Sequence, residues 1–205
     1  MRERTRLMHA ASVVGIATLL SRMLGFVRDA AIAWYFGAGF ASDAFIAAFR
    51  LPNLFRRLLG EGAFSSAVVP VFTEVLYEQG KQESTRLAGA ALRLLALLLC
   101  FLAIVCILLA PWLVRLIAPG FGAEKYHLTV ILARIMLPYV FFVCLVALSA
   151  GILNVYHHFA APALAPVMLN LGMIGAIFLI APQLDVPVIG LAIGVIIGGF
   201  LQLAL

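Results

Sequence analysis

The stretch SRMLGFVRDAAIAWYFGAGFASDAFIAAFRLPNLFRRLLGE, residues 21–61, decides how the rest of the chain is read. It is built mostly from Leu, Phe, Ala, Val and Ile, yet it carries Arg22, Arg28, Asp29, Asp43, Arg50, Arg56, Arg57 and Glu61. Ionisable side chains at membrane depth are costly, and those that persist usually face a bundle interior or a wet cavity. Five arginines against three carboxylates leave two positive charges over, even with every acid paired. A cavity lined by this stretch therefore suits an anion.

Outward from that stretch the chain is almost uniformly apolar. Its 205 residues are 65% hydrophobic and 11% charged, with a mean hydropathy of +1.14. Soluble domains run nearer half apolar and a quarter charged, so composition points to an all-α integral membrane protein. Apolar segments of about twenty residues recur, as spanning helices require, whereas a barrel would show shorter alternating strands. Six such segments are expected, at about 9–36, 42–72, 88–117, 127–154, 160–181 and 186–205. Turn signals separate them at 37–39, 78–86, 118–121, 154–158 and 181–187. Residues 1–6 are basic, like the start of a signal peptide, but the apolar run that follows is too long for one.

Charge sets the expected orientation. With the N-terminus in the cytoplasm, the inner ends hold Arg2, Arg4, Arg6, Lys81, Arg86 and Arg93, and the outer ends hold Arg115 and Lys125. That bias follows the positive-inside rule. The last segment stays apolar to Leu205, so residues 1–205 are read as one six-helix lobe at the front of a longer transporter. The net charge of +5 divides between inner loops and the 21–61 cluster, which argues against nucleic acid as a partner. Cys100, Cys106 and Cys144 lie inside apolar runs with no metal-ligand spacing, and read as small buried hydrophobes.

Helical geometry arranges the charges. At about 100° per residue, Thr18, Ser21, Gly25, Arg28 and Asp29 fall within an arc of roughly 120° that also holds Arg22. This is one polar, small-residue stripe on a greasy helix, readable as a cavity wall or as internal Arg–Asp pairing with snorkelling. In the next segment Asp43, Arg50, Arg57 and Glu61 share a face, and Pro52 interrupts the helix. Arg57 and Glu61, four apart, could neutralise each other, and Asp43 or Asp29 could pair with Arg50. Interrupted helices are where transporters place polar sites. Arginine stays charged in any cellular environment and offers a planar fork to phosphate oxygens, so a diphosphate or another multivalent anion fits the cluster.

Weaker candidates surround this set. Arg134, four residues before Pro138, either joins the cavity or anchors near the outer interface. Pro162, Pro166 and Asn170 read as shaping the fifth segment, and Pro111, Trp112 and Tyr139 as kink and interface residues. His157 and His158 are adjacent in a connection and do not form a metal site. The polar residues from Glu74 to Arg86 read as a solvated linker. No nucleophile–base grouping, Walker-type loop or zinc spacing is present. An enzyme acting on polyprenyl phosphates, or a transporter driven by its own ATP site, is accordingly disfavoured, and no cofactor is expected.

These residues also resemble a known family. Ser21-Arg22-Met23-Leu24-Gly25-Phe26-Val27-Arg28-Asp29 is similar to the first-helix signature of the MurJ/MviN family. Phe36-Gly37-Ala38-Gly39, Asp43-Ala44-Phe45, Leu51-Pro52-Asn53-Leu54-Phe55-Arg56-Arg57, Glu61-Gly62-Ala63-Phe64-Ser65 and Val69-Pro70 follow in that family's order. Ala118-Pro119-Gly120-Phe121, Pro138-Tyr139, Gly151-Ile152-Leu153-Asn154 and Ala165-Pro166 extend the likeness over the whole chain. The resemblance implies a flippase, not an enzyme. It would move lipid II, the undecaprenyl-diphosphate-linked peptidoglycan precursor, across the bacterial inner membrane by alternating access. It implies a fold of two pseudo-symmetric six-helix lobes with extra helices, in a protein more than twice this length, so that the C-terminal lobe is missing here. The cavity residues it implies are Arg22, Arg28, Asp29, Asp43, Arg56 and Glu61, with Arg50, Arg57 and Arg134 less firmly assigned. Lipid II, membrane lipids and the second lobe are the implied partners, and membrane potential or a coupling ion the implied energy source. The alternative is a flippase for another polyprenyl-diphosphate-linked glycan, or a multidrug exporter of the same superfamily; a net positive cluster disfavours a cationic drug.

Overall fold

Glycine and proline set the helix boundaries. Gly37, at φ 64°, closes the first helix with its N–H on the carbonyl of Ala33 at 3.0 Å, a left-handed turn that costs glycine least. Gly80, at φ 86°, makes the break before the long fourth helix, and Pro187 opens the last one, where its missing N–H has no intrahelical partner to lose. The computed structural model describes the backbone of residues 2–58 and 64–205, and the side chains of residues 12–58 and 69–205. Among the described residues it contains α1 (Arg2–Phe36), α2 (Phe40–Phe55), α3 (Phe64–Glu78), α4 (Lys81–Ile117), α5 (Ala123–Met136), α6 (Tyr139–Val155), α7 (Ala160–Leu179) and α8 (Pro187–Ala204), with a short 3-10 turn at Ala181–Gln183.

Two expected segments are subdivided. The 42–72 segment becomes α2 and α3, with π-type turns over residues 56–58. The 127–154 segment becomes α5 and α6, because Pro138 cannot donate to the carbonyl of Arg134 and the backbone tightens there. The Val140 N–H bonds to Leu137 and the Phe141 N–H to Pro138, at 3.0 and 3.1 Å. The polar 74–86 stretch is helix rather than linker, apart from residues 79–80. Among the described residues, four segments are long and apolar enough to cross a membrane: Lys81–Ile117, Ala123–Val155, Ala160–Gln183 and Pro187–Ala204. The protein is a multi-pass membrane protein.

Contacts between helix ends arrange the segments in antiparallel order. Asp43 meets Lys125, the Tyr126 hydroxyl donates to the Pro111 carbonyl, and Trp34 packs on Phe178. The turns at 37–39, 118–122 and 180–186 therefore share one end of the bundle. The Tyr156 hydroxyl donates to Ser84 at 2.9 Å, which puts the connections at 79–80 and 156–159 at the other end.

Close packing replaces the hydrophobic driving force that lipid removes. A Cβ on Gly172 of α7 would lie 2.6 Å from the backbone of Gly198 on α8, and one on Gly194 the same distance from the Ala176 Cβ. Leu132, Met136, Leu137, Ile177, Leu191 and Val195 fill the core beside this contact. The bundle thus closes tightly around α5, α7 and α8, and leaves room on the side of α1 and α2.

Candidate functional site

That room is a cavity of about 540 Å³. The first helix contributes Ser21, Arg22, Gly25 and Arg28, and α2 contributes Phe49, Asn53 and Arg56. Tyr139, Val143, Val146 and Ala147 of α6, Pro162, Ala165, Pro166, Leu169 and Asn170 of α7, and Gln202 of α8 complete the wall. The lining holds three arginines and, among the described residues, no carboxylate. By helical rise, Arg22 lies about 21 Å from the Phe36 end of α1 and Arg56 about 24 Å from the Phe40 end of α2, whereas Arg28 is only about 12 Å from its end. Because α1 and α2 meet at that end, Arg22 and Arg56 stand nearly level and Arg28 stands above them.

Each arginine is presented by a local feature of its helix. Arg22 and Arg28 lie on the α1 stripe beside Ser21 and Gly25. Arg56 shares a face with Phe49 and Asn53, at spacings of four and three, which the helical repeat superposes. It follows Pro52 at the start of the π-type turns, a geometry that often marks functional positions.

Arg28 is held on two sides. Its Nε and Nη2 donate to Asp29 Oδ1 at 2.9 and 2.7 Å, and its Nη1 donates to Asn170 Oδ1 at 2.9 Å. The Asn170 Nδ2 donates in turn to the Ser21 carbonyl at 3.1 Å. Deeper in the wall the Tyr139 hydroxyl donates to Gln202 Oε1 at 3.1 Å, and Gln202 Nε2 donates to the Ala165 carbonyl at 3.0 Å. Tyr139 is 1% exposed, so it is a buried strut at the cavity rather than the interface residue its aromatic character suggested. Buried polar groups satisfied this way stiffen the wall they belong to.

The other charged candidates lie elsewhere. Asp29 is Arg28's partner, with its side chain 67% exposed, and is not part of the lining. Asp43 pairs with Lys125 at 2.6 Å, at the far end of α2, and not with Arg50. Arg50, Arg57 and Arg134 are exposed and outside the lining. The face shared by Asp43, Arg50 and Arg57 is thus about 100° away from the one that carries Arg56 into the cavity. Glu61, and with it the Arg57–Glu61 pairing, lies outside the described residues.

Sequence reasoning missed Asn170 and Gln202 as cavity residues. The signal was present, since each is a polar side chain within an apolar span. Their direction depends on which neighbour each helix packs against, and a single sequence does not encode that legibly.

Comparison with known proteins agrees with this architecture. The family model described as lipid II flippase MurJ matches residues 32–205. The chain is 45% identical to the lipid II flippase MurJ of Burkholderia cenocepacia over 198 residues, covering 96% of this chain and 38% of that protein. It is 39% identical to the probable lipid II flippase MurJ of Vibrio cholerae, over 96% of this chain and 39% of that protein. A solved structure of lipid II flippase MurJ in an inward closed conformation superposes with a TM-score of 0.79 at 32% identity, over 93% of this chain and 40% of that one. The chain therefore spans about two fifths of the length of the relatives it matches. The chain belongs to the lipid II flippase MurJ family.

Proposed function

We propose that this chain forms the cationic half of a flippase cavity that takes the diphosphate of lipid II, in a protein that carries the head group across the bacterial inner membrane by alternating access. The convergence of Arg22, Arg28 and Arg56 on one cavity carries the reading. Guanidinium groups bind phosphate oxygens through paired charge-assisted hydrogen bonds. In a site walled by apolar helices those contacts are screened far less than in water. Residues 1–205 serve as the N-terminal lobe of six spans, with the N-terminus in the cytoplasm, and a second lobe completes the cavity from the opposite side. Asp29 tunes Arg28 and, with Asp43 and Glu61, belongs to the polar set of the first two spans. The prenyl chain stays in lipid while the head group moves. Moving a charge through the membrane potential is worth about 2.3 kcal/mol per 100 mV, so net transfer draws on the potential or on a coupled ion.

The test is rescue of cells depleted of their own lipid II flippase by the complete protein carrying Arg22, Arg28 or Arg56 changed to Ala or to Lys, with membrane levels measured. Wild type should rescue, and well-expressed Ala variants should not. A stably inserted wild type that fails to rescue would move the assignment to another polyprenyl-diphosphate-linked glycan. Rescue by every Ala variant would mean that the arginines serve the fold alone.

A further inference from the structure

We infer that Asn170 is the positioning residue that aims the Arg28 guanidinium into the cavity, an inference that rests on reading the cavity as a diphosphate site. Asn170 is 4% exposed and reaches from α7 to α1, where its amide is engaged at both ends. The orientation of that amide is forced. Turned over, its NH2 group would face the guanidinium N–H, and its oxygen would face the Ser21 carbonyl, so both hydrogen bonds would be lost. One neutral side chain thereby fixes the distance between α1 and α7 and the direction of a charged group between them.

The donor count shows what this does for a ligand. A guanidinium has five N–H donors. Three are committed, two to Asp29 and one to Asn170, which leaves one on each terminal nitrogen. Those two can donate to phosphate oxygens in the cavity. Asp29 sits on Arg28's own helix and is largely exposed, so it holds the Nε–Nη2 edge from the solvent side, while Nη1 is held from α7. Asn170 fixes that nitrogen, and because it is neutral it adds no second carboxylate to the Arg28–Asp29 pair. A carboxylate in its position would give the group a net negative charge that repels an anion, and an alkyl side chain would release Arg28.

A double-mutant cycle tests this on the complete protein, purified in detergent, with inorganic pyrophosphate as the probe and calorimetry as the readout. Asn170→Ala should weaken pyrophosphate binding about tenfold, as expected for a lost hydrogen bond to a charged group. Arg28→Ala should weaken it at least as much, and Asn170→Ala should add nothing further in the Arg28→Ala background, because the two act through one contact. Equal weakening in both backgrounds, or no weakening by Asn170→Ala, overturns the inference. A wild type that binds no pyrophosphate overturns the diphosphate reading itself, a distinguishable result. Should Asn170→Ala not accumulate in folded form, Asn170→Asp keeps the side-chain shape. It gives up the bond to the Ser21 carbonyl and should lower the melting temperature while still folding, yet lose pyrophosphate affinity by more than tenfold, and an unchanged affinity overturns the inference.

Discussion

At the scale of single residues, position around the helix matters more than charge. Five arginines crowd residues 22–57, but only Arg22, Arg28 and Arg56 reach the cavity. Changing Arg56 to Ala should therefore abolish rescue of flippase-depleted cells, whereas Arg50→Ala, Arg57→Ala and Arg134→Ala should each retain it at matched membrane levels. Lys at position 56 should rescue partially, since it keeps the charge and loses the fork. Gly25 supplies a finer contrast. Although it lies in the cavity wall, a Cβ there would sit 3.8 Å from Asn170 Nδ2, an ordinary contact. Gly25→Ala should be tolerated, with a melting temperature at or above that of wild type, because alanine favours helix by about 1 kcal/mol. The arginines were legible in the sequence because charge inside an apolar run has few explanations. The pairing of Asp43 with Lys125, 82 residues apart, was not, since ion pairs between helices depend on packing that no local pattern records.

At the scale of elements, glycine carries the packing. Gly190, Gly194 and Gly198 recur every four residues along α8, and a Cβ on any of them would fall 2.6–2.9 Å from a neighbouring atom. Gly172→Ala and Gly198→Ala should each force α7 and α8 apart. The expected cost is about 1–3 kcal/mol, typical of overpacking a close interface, and should be read as a lowered melting temperature and reduced accumulation. Gly175→Ala and Gly89→Ala meet open space and should lower neither. The boundaries of α1 and α8 were legible from Gly37 and Pro187, because those residue types restrict the backbone directly. The helical state of residues 81–86 was not, because a polar helix end that projects past the apolar core has the composition of a solvated loop. The subdivision of the second segment was only half legible: Pro52 announced a disturbance, but the chain passes it with α2 intact and changes geometry four residues later, at Arg56.

At the scale of the whole molecule, the cavity's chemistry depends on which end of the bundle faces the cytoplasm. The helix-end contacts group residues 37–39, 118–122 and 180–186 together and oppose them to residues 79–80 and 156–159. Basic residues favour the second group for the cytoplasm, because Lys81 and Arg86 begin α4 there while the first group is bordered by Arg115 and Lys125. Arg28, nearer the first group, would then be the outermost of the three cavity arginines, with Arg22 and Arg56 level near the bilayer middle. A head group arriving from the cytoplasm would meet the level pair before Arg28. This order can be tested by cysteine labelling in intact cells, with Cys100, Cys106 and Cys144 first replaced by Ala. Single cysteines at Ala38, Gly120 and Asp185 should react with a membrane-impermeant maleimide added outside, while those at Gln79 and His158 should react only after permeabilisation. The reverse pattern would invert the lobe and make Arg28 the first arginine met from the cytoplasm. A mixed pattern within either group would contradict the antiparallel order of the helices, and with it the shared depth of Arg22 and Arg56 on which the proposed grip of one diphosphate by both depends.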